Sequence, residues 1–285
     1  MLRLVWTTDL HLDHAPPEMQ ERWLSLIASQ SPTGLLIGGD IAESGGAVQW
    51  LQHLAQSTNC PIYFVLGNHD FYDQSVRIAR QNIVRLCREH EHLHYLTDCT
   101  GIPLIDTSDR KPIAYLIGED AWGDGTCGDF ENSFVKLADF ARIPDFKTLT
   151  EEKRKELLQE LGRHSAERLA TKLQSVPNNT NRLIVLTHVP PFVEACWYEG
   201  KTADENWSPF FVCGQTGVVL RNFAQANPNC QVVVLCGHTH HRGTTQPLSN
   251  LVVYTGESEI GHPSIAGSLV IQKHAMTMET HGDRA

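Results

Sequence analysis

Five short apolar runs, each followed closely by residues that bind metals, constrain this chain more than any other feature. The runs are Leu2-Arg3-Leu4-Val5-Trp6, Leu35-Leu36-Ile37, Ile62-Tyr63-Phe64-Val65-Leu66, Leu183-Ile184-Val185-Leu186 and Val232-Val233-Val234-Leu235. Such near-continuous segments, rich in β-branched and aromatic residues, fit strands covered on both faces by other layers. Behind them stand Asp9-Leu10-His11, Gly39-Asp40, Gly67-Asn68-His69-Asp70, His188 and Gly237-His238-Thr239-His240. Asp, Asn and His are oxygen and nitrogen donors suited to divalent metal ions. In open α/β sheets the loops at strand ends form the ligand crevice. Residues from both halves of the chain are therefore expected to meet at one metal-binding rim.

Between the runs the period changes to that of a helix. Pro16-Pro17-Glu18 opens a stretch with Trp23, Leu24, Ile27 and Ala28 on one face, Gly45-Gly46 opens another with Val48, Leu51 and Leu54, and residues 73–90 read as a third. Strand, loop and helix thus repeat three times, which is α/β architecture. After a strand at 113–118 come a glycine-rich loop (119–128), a helical stretch at 132–142 and a long helix over 151–176, with Thr148 and Glu151 as its capping box. Leu157, Leu161, Leu169 and Leu173 form its apolar stripe, and Pro177-Asn178-Asn179 ends it. Segment 119–179 delays the next ligand loop and reads as an insertion or lid. Strands at 251–254 and 268–271 are expected to close a second sheet. The chain reads as one domain over 1–275 with a C-terminal tail at 276–285.

Its 23 basic and 33 acidic residues give a net charge of −10, which argues against a nucleic-acid polymer or an anionic membrane as partner. No apolar run approaches the ~20 residues of a membrane span. The first strand follows Met1 so directly that no signal peptide is expected, so a cytoplasmic location is. Eight cysteines contain no C-x-x-C pair and are expected to be buried thiols, not a disulfide framework.

The ordered blocks D-x-H at 9–11, G-D at 39–40, G-N-H-D at 67–70, His188 and G-H-T-H at 237–240 resemble the calcineurin-like metallophosphoesterase superfamily. The resemblance implies a four-layer α/β/β/α sandwich of two mixed sheets flanked by helices, here with a helical insertion. It implies that Asp9, His11 and His240 hold one divalent ion, that Asn68, His188 and His238 hold the other, and that Asp40 bridges them. Manganese, iron, zinc and cobalt all suit such mixed ligands. It further implies in-line attack by a metal-bridging hydroxide, with His69 as proton donor and Asp70 holding His69 by a hydrogen bond. The expected activity is hydrolysis of a small phosphodiester or phosphomonoester. A protein Ser/Thr phosphatase, or a metal-binding non-catalytic interaction module, stands as the alternative.

His14, Trp122, Asp124, His241 and Arg242 are further candidates for substrate contact. The cluster Phe192, Trp197, Tyr198, Trp207, Phe210 and Phe211 fits a pocket wall, inter-sheet packing or a subunit contact equally well. Gly123-Asp124-Gly125-Thr126-Cys127-Gly128 matches the dinucleotide fingerprint G-x-G-x-x-G, but it does not lie in the opening βαβ unit, and the metal series accounts better for the strands. Oligomeric state, metal identity and the physiological substrate stay open.

Overall fold

The computed structural model describes residues 1–106 and 111–280. Two six-stranded sheets form its centre. The first runs Met276–Thr280, Gly267–Ile271, Leu2–Thr7, Gly34–Ile37, Ile62–Phe64, Leu93–Tyr95. The second runs Gly243–Leu248, Leu251–Thr255, Gln231–Cys236, Arg182–Thr187, Pro112–Glu119, Ile102–Ile105. Both are mixed. In the first, Leu2–Thr7 through Leu93–Tyr95 pair in parallel, while Gly267–Ile271 pairs antiparallel to Leu2–Thr7.

The layering follows from which apolar residues find each other. Leu4, Trp6, Leu36, Val65 and Leu269 of the first sheet pack on Leu116, Ile184, Leu186, Val233 and Leu235 of the second, giving the inter-sheet core. The opposite face of the first sheet (Val5, Leu35, Ile37, Phe64) is covered by helices Pro17–Ser29, Gly46–Ser57 and Val76–Glu89 through Trp23, Ile27, Leu51, Leu54 and Ile83. The opposite face of the second (Leu183, Val185, Val232, Val234) takes Leu169, Leu173, Leu220 and Ala224 from helices Glu151–Ser175 and Gly214–Ala226. This is the four-layer sandwich the sequence motifs imply. Burial on both faces explains why these strands read as unbroken apolar runs.

Local details depart from the sequence reading. The strand Gly267–Ile271 joins the first sheet, not the second, because its register matches Leu2–Thr7 from Leu2 opposite Ile271 to Trp6 opposite Gly267. Residues 276–280 are no free tail: Met276–Thr280 pairs with Gly267–Ile271 as an edge strand. The rest of the expected tail, 281–285, lies outside the described residues. The helical stretch expected at 132–142 shrinks to Asp139–Arg142, and Pro144–Lys147 follows as a separate turn of helix. Thr148 C-caps that turn, so the long helix is N-capped by Thr150, whose side chain accepts from Lys153 N. The long helix packs on the Gly214–Ala226 helix and the Pro112–Glu119 strand. No helix among the described residues is long and apolar enough to cross a membrane. All eight cysteines are free thiols, five of them buried.

Candidate metal centre

Strand ends bring the candidate ligands together. Carboxylate and imidazole donor atoms of Asp9, His11, Asp40 and His240 lie within 4.8 Å of one another, as do those of Asp40, His188 and His238. Asp40 belongs to both groups. Its Oδ2 sits 3.8 Å from His11 Nε2 and 3.5 Å from His188 Nε2, between the two seats. Asn68 Oδ1 lies 3.2 Å from His188 Nε2 and completes the second group.

Hydrogen bonds behind the ligands decide which atoms face inward. His188 Nδ1 donates to Gly38 O at 2.8 Å, and His238 Nε2 donates to Phe210 O at 3.3 Å. With Nε2 donating outward, His238 presents its Nδ1 lone pair inward, 3.1 Å from His188 Nε2. His11 Nε2 and His240 Nε2 lie 3.4 Å apart. Imidazole nitrogens and carboxylate oxygens grouped in this way, with Asp40 in both groups, fit two divalent ions. Burial and the neighbouring His188 push the His238 imidazole down to about 3. Burial opposes a charge on Asp40, yet His188, His69 and His11 hold its carboxyl well below the ordinary range.

The backbone is strained here. Of ten non-glycine residues with positive φ among those described, five are Asp9, His11, Asp40, His238 and His240. Such conformations cost about 1–3 kcal/mol each and persist where surrounding structure enforces them, characteristically at binding sites. Gly67 shows how tightly the loops meet. A Cβ there would fall onto Asp40 Oδ1 and come within 2.6 Å of His188 Cε1.

Around His69 the structure corrects the sequence reading. Asp70 does not hold His69. Its buried carboxylate accepts from Ile41 N, Ala42 N and Gly67 N, so it shapes the loops carrying Asp40 and Asn68. Burial and the nearby Asp40 push the Asp70 carboxyl up to about 7. The partner of His69 is Glu43, whose Oε1 lies 3.0 Å from Nδ1. Burial disfavours the imidazolium, but Asp40 and the Glu43 hydrogen bond overcome it and raise the pKa of His69. Glu43 was invisible in sequence because one acidic residue three positions past Asp40 carries no pattern. Asp139 was equally hidden: it is buried and accepts from Asn68 Nδ2 and Tyr72 OH.

A cavity of about 340 Å³ opens on the centre. Asp40, Asn68, His69, His238 and His240 line its floor, and Trp197, Tyr198, Trp207, Phe211 and Leu137 its walls. Phe192 and Phe210 are packed in the outer cores instead. The expected substrate contacts do not reach the cavity. Trp122 is core, 5.2 Å from the Phe71 ring, and Asp124 is buried accepting from Thr126 and Gln215 N, since the glycine-rich loop folds inward. His14 gathers with Asp13 and Glu43 beside His69, His241 packs on Tyr198, and Arg242 pairs with Glu257 at the surface.

Fold and site together are those of a metal-dependent hydrolase with two adjoining groups of candidate metal-binding side chains. The calcineurin-like phosphoesterase family matches residues 2–242, and the chain belongs to that family. Among solved structures it is similar to phosphopantetheinyl hydrolase from Mycobacterium tuberculosis, with 16% identity over 90% of this chain and 89% of that one, TM-score 0.64. It is similar also to a dimetal phosphatase from Danio rerio, with 12% identity over 99% and 96% of the two chains, TM-score 0.59. At these identities the likeness is one of fold. Among curated proteins no sequence match is found.

Proposed function

We propose that the chain hydrolyses a small phosphodiester or phosphomonoester using two divalent ions. The observation carrying this reading is the shared cavity: members of both ligand groups (Asp40, Asn68, His238 and His240), His69 and an apolar wall line one open cavity. Bound ions of this kind supply an acidified water and positive charge toward phosphoryl oxygens. The chain's own residues do the rest. Gly38 O, Phe210 O and Asp139 hold His188, His238 and Asn68 with their donor atoms inward. His69, whose imidazolium Asp40 and Glu43 favour, delivers a proton to the departing ester oxygen.

His69 lines the same cavity as the four rings, so the departing alcohol extends between Trp197, Tyr198, Trp207 and Phe211. Trp207 and Tyr198 are 43% and 59% exposed, apolar surface that a ligand's body covers. Lys136 is the only cationic Lys or Arg in the lining, too little positive charge for a polyanion. The walls built by 136–139 and 196–211 favour a small molecule over a phosphoprotein loop.

The test compares bis(p-nitrophenyl) phosphate with p-nitrophenyl phosphate after chelation and after Mn²⁺ is restored, alongside Asn68→Ala. Turnover that returns with metal and disappears in Asn68→Ala supports the reading, and the preferred ester assigns diesterase or monoesterase. Two bound ions without turnover of any ester would favour a binding role instead.

A further inference from the structure

The four-residue helix Asp139–Arg142 reaches the proposed proton donor from both sides. At its start, Asp139 Oδ1 accepts from Tyr72 OH at 2.8 Å and from Asn68 Nδ2 at 2.9 Å. Tyr72 OH in turn lies 3.4 Å from His69 Nε2. At its end, Arg142 Nη2 lies 3.1 Å from Glu43 Oε2, while Glu43 Oε1 holds His69 Nδ1. The Arg142 guanidinium also sits over the Tyr72 ring, 4.6 Å from its centroid. One end of the helix therefore leads to each nitrogen of the same imidazole.

We propose that this helix is a positioning brace that fixes His69 and the metal ligand Asn68 in one register. A carboxylate oxygen accepts and an amide nitrogen donates, so Asp139 fixes the orientation of the Asn68 amide and turns its oxygen toward His188. Tyr72 OH donates a hydrogen bond to Asp139 and so turns an oxygen lone pair toward His69 Nε2. With Glu43 accepting from Nδ1, the ring is held at both nitrogens until an ester oxygen takes the place beside Nε2. Neither Tyr72 nor Asp139 joins the reaction. The role of the brace toward His69 rests on the proposed hydrolysis, whereas its role toward Asn68 does not.

The experiment uses the full chain and three variants: Tyr72→Phe, which keeps the ring; Arg142→Met, which keeps the packing; and Asp139→Asn, which keeps the shape. Thermal melts identify any variant that fails to fold, and Tyr72→Phe, lacking one oxygen, keeps the test open if Asp139→Asn does fail. Mn²⁺ affinity is read by titration calorimetry, and rates are read on aryl phosphoesters of rising leaving-group pKa. Asp139→Asn is expected to weaken one Mn²⁺ site about tenfold or more, as loss of a group behind a ligand does. Tyr72→Phe and Arg142→Met are expected to bind Mn²⁺ normally and to lose rate progressively, little on p-nitrophenyl esters and tenfold or more on phenyl esters. A loss uniform across leaving groups, or none, would overturn the His69 half. Wild-type Mn²⁺ affinity in Asp139→Asn would overturn the Asn68 half. If the wild type hydrolyses no ester, the proposed function fails, while the Mn²⁺ titration still judges the brace.

Discussion

Asp120→Asn should damage both the fold and the metal centre, and the structure allows the size to be worked out. Asp120 is fully buried, and its carboxylate collects donors from four residues. Leu66 N and Thr97 Oγ1 reach Oδ1 at 2.8 and 2.7 Å, while Tyr95 OH and Arg80 Nε reach Oδ2 at 2.5 and 3.0 Å. Leu66 directly precedes the loop carrying Asn68, and Asp120 O accepts from His188 N at 3.1 Å. One residue thus ties ligand loops of the two sheets together. An asparagine must turn an NH₂ toward existing donors and leave the Arg80 guanidinium, burdened by burial, without its counter-ion. Removing one partner of such a pair costs about 3–5 kcal/mol. At about 2–4 °C per kcal/mol for a chain of this size, the midpoint should fall by roughly 6–20 °C. Scanning calorimetry with and without Mn²⁺ measures this, and Mn²⁺ affinity should fall in the same variant. A midpoint within 3 °C of wild type, with affinity intact, would refute the claim that Asp120 joins the two sheets' ligand loops.

Gly67→Ala should abolish tight metal binding, since the added methyl meets Asp40 Oδ1 and His188 Cε1 and reaches both ligand groups; elemental analysis after dialysis would show metal lost, and two retained ions would contradict it. Glu43→Gln keeps an acceptor for His69 but removes the charge, a difference of about 1–1.5 kcal/mol between charged and neutral hydrogen bonds, so turnover of poor leaving groups should drop about tenfold in steady-state assays. Asp70→Asn, by contrast, should act through the loops carrying Asp40 and Asn68, and calorimetric titration should show weakened Mn²⁺ binding. Free metal at a hundredfold excess over Kd should stabilise the chain by about 2.7 kcal/mol, read as a rise in unfolding midpoint over the chelated protein.

The candidate ligands were legible because two constraints coincide on them. A strand buried on both faces must be apolar throughout, so a polar residue just past its end stands out, and Asp9, Asp40, Asn68, His188 and His238 all stand there. The residues that orient them carry no such mark. Glu43 sits in an irregular segment and Asp139 at the start of a single helical turn, and their partners, His69 and Asn68, are 26 and 71 positions away. Lys172 lies within a helix whose stripe reads as leucine, yet its ammonium is buried against Leu96 O, Thr97 O and Gly118 O. Asp70 misled because adjacency in sequence is not adjacency of side chains: the 3-10 turn His69–Phe71 sends its carboxylate back to Gly67 N and away from the imidazole. Trp122 and Asp124 misled in the opposite way, since a glycine-rich loop suggests exposure, but Gly123 and Gly128 let the chain press against the Phe210 and Glu205 backbone and bury both side chains. A pattern of period two or four reports which face of an element meets the core. The hydrogen bonds that orient a metal ligand join loops from different layers, and those pairings exist only once the layers have packed.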